Sequence, residues 1–173
     1  MGCRILIKCR FGISVDNIYK YGRIVSKILL MNGPNLNLLG DRETHVYGSV
    51  RLEEIEKHLA ELARTLGHTL MVYQSNHEGA LIDRVQQARR EGTGFLILNP
   101  GGYTHTSVAL RDAVAAAAVP FIEIHMSNIQ AREDFRRQSY FSELALGTIA
   151  GFGAHGYELA LLAADRRLKT RTT

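Results

Sequence analysis

Tryptophan is absent from the 173-residue chain, and cysteine and proline are scarce, with two and three residues respectively. Both cysteines, Cys3 and Cys9, lie within the first 26 residues. The rest of the chain therefore has no disulfide framework, no thiolate metal site and no cysteine nucleophile. No apolar run approaches the ~20 residues of a membrane-spanning helix, so we expect no membrane partner.

A broadly basic surface is also missing, although the net charge is +4. Residues 1–26 carry five basic side chains and one acidic one, whereas residues 27–173 carry 16 of each sign. A neutral globular part argues against a nucleic-acid partner. We expect residues 27–173 to form a single catalytic α/β domain. Residues 1–26 are a leader or extension of uncertain status: we favour an extension without function, and a targeting or regulatory arm is the alternative.

Short apolar runs alternate with helical patterns from Lys27 onward. Nearly continuous apolar runs of this kind are typical of a parallel sheet that helices cover on both faces. The alternation predicts an α/β, flavodoxin-like, doubly wound five-stranded parallel sheet. Ligands bind such sheets beyond the carboxyl ends of the strands. The predicted strands are 27–32, 69–74, 94–99, 120–126 and 148–152, and the predicted helices are 52–66, 80–90, 105–118, 131–139 and 157–169.

The loop after the first strand contains a polar stretch between Gly40 and Gly48 that is too long for a tight turn. Long loops at this end of a sheet are commonly lids or binding loops. Within it, a guanidinium from Arg42 beside Tyr47 would lower the pKa of the phenol and prepare it as a general base. The alternative is that Tyr47 packs and Arg42 is a solvated charge.

The loop after the third strand, NPGGYTHTS at residues 99–107, opens a predicted helix. Gly101 and Gly102 allow the backbone to approach a ligand closely, and Thr104 can cap the helix. The free amides of a first helical turn favour an anionic group, with His105 as a neutral hydrogen-bond partner. The alternative is an ordinary glycine-rich connection.

Asp112 follows His105 by seven residues and thus lies on the same helical face, ~10 Å further along. One small substrate can hardly contact both side chains of a single chain. Asp112 therefore either reaches the pocket of a neighbouring subunit or pairs with an arginine.

The fourth strand places Phe121, Glu123 and His125 on one side, because side chains alternate along a strand. An unpaired buried carboxylate is costly. We expect Glu123 to orient or charge His125 and so prepare it as a general acid; a structural pair at the sheet edge is the alternative. Arg132 and Arg136, four residues apart, suit hydroxyls or a carboxylate, or else are surface charges.

Three other site types are disfavoured. The glycines of residues 151–156 match a dinucleotide fingerprint, but that motif needs a further strand with an acidic residue about 20 positions on. The seven histidines show no metal-ligand spacing. The lysines after residue 26 (Lys27, Lys57 and Lys169) lie on none of the candidate loops, which disfavours Schiff-base chemistry.

From residue 27 to 168 these motifs closely resemble the type II 3-dehydroquinate dehydratase family of the shikimate pathway. The matching runs are NGPNLN at 32–37, RE at 42–43, YG at 47–48, NPGGYTHTS at 99–107 and EIHMSN at 123–128. The resemblance implies a flavodoxin-like cytoplasmic enzyme without metal or cofactor. It also implies a homo-dodecamer of four trimers that dehydrates 3-dehydroquinate through an enolate.

By the same resemblance, Tyr47 removes the C2 proton, Arg42 lowers the pKa of that tyrosine, and His125 protonates the departing C1 hydroxyl. Asn35 holds a water on the enolate oxygen. The other matching positions are substrate-binding (Asn99, His105, Met126, Ser127 and Arg136), trimer-shared (Asp112) or supporting (Glu123, Gly101 and Gly102). Thr44 departs from the proline usual in the family, and we expect it to loosen the lid. A flavodoxin-like FMN-binding carrier, holding its phosphate at the Gly101-Gly102 turn, is the alternative function.

Overall fold

The structure is a computed structural model that describes residues 25–40 and 50–170. The described residues form one sheet of five parallel strands, in the spatial order β2-β1-β3-β4-β5. Because the order reverses between β1 and β3, the connections after these two strands leave towards opposite faces and open a crevice at the carboxyl edge. The strands are β1 (Lys27–Asn32), β2 (Thr69–Gln74), β3 (Phe95–Asn99), β4 (Phe121–His125) and β5 (Thr148–Ala150).

Helices connect these strands along the chain, with short 3₁₀ turns at Leu36–Leu38, Gly101–His105 and Ile129–Ala131. In residues 25–40 and 50–170, no helix has the length and apolar character needed to cross a membrane. The helices are α1 (Leu52–Leu66), α2 (Glu78–Arg90), α3 (Val108–Ala117), α4 (Asp134–Arg137) and α5 (His155–Thr170).

Two apolar layers cover the sheet, one on each face. Ile28 and Leu30 of β1 pack with side chains of α1 and α5, whereas Leu29 and Met31 pack with side chains of α2 and α3. Each large apolar side chain buried in this way stabilises the fold by ~1.5–3 kcal/mol. The predicted doubly wound sheet with helices on both faces is therefore confirmed.

The helix predicted from residue 105 begins at Val108 instead, so the prediction of Thr104 as its cap is wrong. The Thr104 hydroxyl donates to the Gly101 carbonyl at 2.6 Å. Ser107 has the extended backbone of an N-cap, and its Oγ accepts from the Leu110 amide at 2.9 Å. His105 consequently lies in a 3₁₀ turn and Asp112 in the helix that follows. The two residues therefore do not share one face of a single α-helix, as the sequence spacing had predicted.

The helix predicted over 131–139 is reduced to the four residues of α4. The backbone at Gln138 is extended, with φ −91° and ψ 127°. The Gln138 carbonyl bonds to His105, and the Ser139 hydroxyl bonds to Glu123. These tertiary contacts replace the hydrogen bonds of a further helical turn.

Candidate active site

The loops after β1 and β3 are locked against each other. A Cβ added at Gly33 would lie 2.2 Å from the Pro100 carbonyl oxygen, so this approach requires glycine. Gly101 adopts φ +59°, a conformation that favours glycine, and packs against Pro34. A Cβ at Gly102 would meet nothing within 4 Å, so only the first glycine of the pair is required by the described contacts.

A cavity of about 270 Å³ lies at the carboxyl edge of the sheet, bounded by the segments that follow β1, β3 and β4. Pro34, Leu36, Leu39 and Ile129 supply its apolar wall. Ten of the residues singled out in the sequence also line it: Asn35, Asn99, Gly101, Gly102, His105, His125, Met126, Ser127, Arg132 and Arg136.

His125 enters this cavity with a carboxylate behind it. Its Nε2 lies 2.7 Å from Oε1 of the fully buried Glu123, which also accepts from the Ser139 hydroxyl at 2.5 Å. Burial raises the pKa of Glu123, but hydrogen bonds from His125 and Ser139 outweigh burial and hold that pKa below its ordinary value. Glu123 is therefore ionised at neutral pH. The His125 Nε2–H donates to it, which leaves Nδ1 as the nitrogen for a ligand.

His105 is anchored in a comparable way from the segment 138–141. Its Nδ1 lies 2.6 Å from the Gln138 carbonyl oxygen, which only accepts, so Nδ1 carries the hydrogen. In the neutral ring Nε2 is then an acceptor. The Tyr140 amide adds a bond to the Thr104 carbonyl at 3.0 Å. This short segment thus holds both cavity histidines, one directly and one through Glu123.

Arg132 and Arg136 bring positive charge to the cavity wall. Their Nε atoms lie 3.5 Å and 3.1 Å from Oε2 of the exposed Glu133. A backbone hydrogen bond at Glu133 and the two nearby guanidinium groups hold the pKa of that carboxyl below its ordinary value. Two guanidinium groups against one carboxylate favour an anionic ligand.

Two asparagines from different loops complete the polar wall. Asn35 adopts φ +66°, and its backbone amide donates to Asn76 Oδ1 at 2.9 Å. Asn99 Nδ2 donates to the hydroxyl of Tyr157 at 2.7 Å, and the Gly101 amide donates to Asn99 Oδ1 at 3.2 Å. Tyr157 was missed in the sequence. A tyrosine on the apolar face of a helix was the available signal, because a buried phenol needs a hydrogen-bond partner.

The remaining sequence-derived positions either lie outside the described residues or do not line this cavity. Arg42 and Tyr47 lie outside the described residues, as does Thr44. The side chain of Asp112 is 66% exposed and lies 3.4 Å from the Arg111 guanidinium rather than lining the cavity. Within the described part of the chain, no cluster of three or more His, Cys, Asp or Glu side chains is placed to hold a metal ion.

Fold and site together define a class: a doubly wound α/β protein with a histidine–carboxylate pair opening on a ligand-sized crevice. The sequence model of the family described as "Dehydroquinase class II" matches residues 26–165. The chain therefore belongs to the class II dehydroquinase family.

Individual relatives and solved structures agree with this assignment. The 3-dehydroquinate dehydratase of Polynucleobacter necessarius subsp. necessarius is 58% identical over 144 residues, which are 83% of this chain and 97% of the relative. That of Bordetella pertussis is 57% identical over 143 residues, 83% and 99% of the two chains. The crystal structure of type II dehydroquinase from Butyrivibrio crossotus superposes with a TM-score of 0.80 at 42% identity, covering 82% of this chain and 98% of that one.

The alternative of a flavin-nucleotide carrier depended on a helix opening directly after Gly101-Gly102. That helix is absent from the described structure at this point, since α3 begins at Val108 behind its Ser107 cap. No observation at the described cavity favours the flavin interpretation over the family assignment.

Proposed function

We propose that the chain is a type II 3-dehydroquinate dehydratase, a hydro-lyase that converts 3-dehydroquinate to 3-dehydroshikimate and water through an enolate. One observation carries the proposal: the Glu123–His125 pair opens on a small cavity lined with arginine, in a chain of the class II dehydroquinase family. The reaction is a step of the shikimate pathway, which leads to chorismate and the aromatic amino acids.

His125 is the general acid of this mechanism. The ionised Glu123 accepts from Nε2 and supports the imidazolium, whose Nδ1–H is then the donor left for the substrate. Nδ1 delivers its proton to the C1 hydroxyl, the C1–O bond breaks, and water leaves. A general acid positioned in this way accelerates a reaction by about 10²–10⁴-fold.

Tyr47 is the general base. Its phenolate removes the C2 proton, and the resulting enolate supplies the electrons that expel the C1 hydroxyl. The guanidinium of Arg42 lowers the pKa of Tyr47 and stabilises the negative charge of the transition state. Asn35 holds a water on the enolate oxygen. The RE and YG motifs that carry Arg42 and Tyr47 lie inside the range matched by the family model, which supports these roles.

The remaining polar groups of the cavity bind the substrate, which carries one carboxylate and several hydroxyls. Arg136 offers guanidinium donors, His105 Nε2 offers an acceptor for a hydroxyl, and Asn99 offers its amide. Met126 and Ser127, which directly follow β4, contact the substrate from the same wall as His125. Every chemical step uses protein groups and one bound water, and requires no metal or cofactor.

The functional assembly is a dodecamer of four trimers in the cytoplasm, with residues 1–26 outside the catalytic domain. Asp112 contributes to the cavity of a neighbouring subunit. Its side chain is exposed and does not line the cavity of its own chain, which supports this role. Exposed apolar side chains also support burial between subunits; they are Val108, Phe135, Leu146 and Phe152, each at least 55% exposed.

Incubation of the purified chain with 3-dehydroquinate tests the proposal. Mass spectrometry should show loss of one water, and an ultraviolet band of the conjugated enone should grow with it. The protein itself should be colourless in visible light. Recovery of unchanged 3-dehydroquinate would refute the proposed activity, and a yellow protein with flavin absorbance would support the carrier instead.

A further inference from the structure

A chain of hydrogen bonds runs through the interior from a half-buried carboxylate to the cavity wall. Asn32 Nδ2 donates to Glu56 Oε1 at 3.4 Å, and the Tyr157 hydroxyl donates to Asn32 Oδ1 at 2.9 Å. Asn99 Nδ2 in turn donates to the Tyr157 oxygen at 2.7 Å. Asn32 and Tyr157 are fully buried, and Asn99 is 3% exposed. Among the linked side chains, only Asn99 lines the cavity.

The direction of this chain is fixed by its members. Glu56 Oε1 accepts from Asn32 Nδ2, although burial raises the pKa of this carboxyl, and Asn32 therefore turns its oxygen towards Tyr157. Burial raises the pKa of Tyr157 far above its ordinary value, so the hydroxyl keeps its proton and donates it to Asn32. The Tyr157 oxygen is then left to accept from Asn99.

Asn99 is consequently held from both ends of its amide. Tyr157 takes one hydrogen of Nδ2, and the Gly101 amide occupies the oxygen at 3.2 Å. Within the part of the chain that the structure describes, the second hydrogen on Nδ2 has no hydrogen-bond acceptor. Without the tyrosine hydroxyl, the 3.2 Å bond from the Gly101 amide is the one contact among the described residues that still holds the side chain in this orientation.

We propose that Tyr157 is a positioning residue that acts through Asn99, fixing the orientation of its amide so that the second Nδ2 hydrogen is offered to the substrate as a donor. This inference rests on the proposed function, in which Asn99 binds 3-dehydroquinate. Tyr157 touches neither substrate nor reacting atoms. Its ring belongs to the apolar layer over the sheet, and its hydroxyl sets the donor pattern of the cavity.

Tyr157→Phe tests the inference because it removes the hydroxyl and keeps the ring in the core. We expect kcat/KM for 3-dehydroquinate to fall by about tenfold, the equivalent of one hydrogen bond, with most of the change in KM. In an Asn99→Ala background the same substitution should change kcat/KM by less than about twofold, since residues that act as a unit are not additive.

Ala160→Gly is the matched control. Ala160 is fully buried in the same helix one turn on, and its methyl group has no polar role, so this variant should lower the melting temperature and leave KM unchanged. All assays are run well below the melting temperature of each variant. The inference would be overturned if Tyr157→Phe lowered kcat/KM equally with and without Asn99, or did not lower it at all. A rise in KM for Ala160→Gly that matched the rise for Tyr157→Phe would also overturn it. Absence of turnover in the wild type would instead refute the proposed function.

Discussion

The chemistry available at His125 depends on the carboxylate directly behind it. Glu123 is fully buried in the middle of β4, where an unpaired charge would be costly. Its Oε1 accepts from His125 and Ser139, and its Oε2 lies 3.5 Å from the Thr148 hydroxyl. These donors stabilise the carboxylate. The carboxylate in turn occupies Nε2 and leaves Nδ1 as the histidine nitrogen for a ligand.

Glu123→Gln should lower the free energy of unfolding at neutral pH by about 1–3 kcal/mol, because the buried hydrogen bonds to a charged acceptor are lost or weakened. The folded state holds the pKa of Glu123 below its unfolded value. The ionised carboxylate therefore adds stability that is fully present above the unfolded pKa and is lost as the pH falls through the lowered folded pKa. Urea unfolding of both proteins from neutral pH to about pH 3 should show the difference shrinking towards acid. A difference that stays constant would contradict this account.

Individual site residues were predictable from the sequence where they follow a strand. His105 and His125 were found because the carboxyl ends of parallel strands meet at one edge, whereas Asn99 was named through the family resemblance. Tyr157 was not found, since it bonds to Asn99 across 58 positions and to Asn32 across 125. Such partners are chosen by the packing of α5 on the sheet, and local patterns do not report that packing.

Among the elements, those with a strong apolar period were predicted with correct bounds. Residues 27–32, 52–66 and 69–74 coincide with β1, α1 and β2. The start of α3 and the extent of α4 were wrong, because each is set by a side-chain or carbonyl contact. Helix ends depend on how a few polar groups are satisfied, which periodicity does not encode.

The contact between the loops after β1 and β3 leads to a prediction for those elements. Gly33→Ala should destabilise the protein by about 3 kcal/mol, since the new Cβ would overlap the Pro100 carbonyl and push the two loops apart. Gly79→Ala, in α2, is the matched control: nothing lies within 4 Å of its added Cβ, and we expect a change of less than about 1 kcal/mol. Urea unfolding compares the two variants, and equal stabilities would show that the loops can move apart freely.

At the scale of the whole molecule, the proposed function assigns Asp112 to the contact between one chain and another. It is well exposed beside Arg111, which also pairs with Glu143. In the proposed trimer this carboxylate completes the cavity of the next subunit, so a single chain does not hold all of its own site. Light scattering should accordingly give a mass far above the 19.3 kDa of one chain.

Mixing two inactive variants tests this sharing of residues between subunits. Asp112→Ala and His125→Ala should each have little activity alone. After co-assembly from denaturant, about one quarter of the sites pair an intact His125 with an intact neighbouring Asp112, and about that fraction of wild-type activity should return. A mixture of Asp112→Ala with the double variant should stay inactive. Mixed assemblies that recover nothing would place Asp112 outside the shared site.

In the proposed mechanism, Tyr47 removes a proton from 3-dehydroquinate and His125 returns one to its leaving hydroxyl. The most direct measurement is the growth of enone absorbance from 3-dehydroquinate with the wild-type chain, Tyr47→Phe and, as a matched tyrosine control, Tyr73→Phe. We predict product from the wild type and from Tyr73→Phe, and at least about a 10²-fold slower reaction with Tyr47→Phe. Full activity in Tyr47→Phe, or no product from the wild type, would contradict the account.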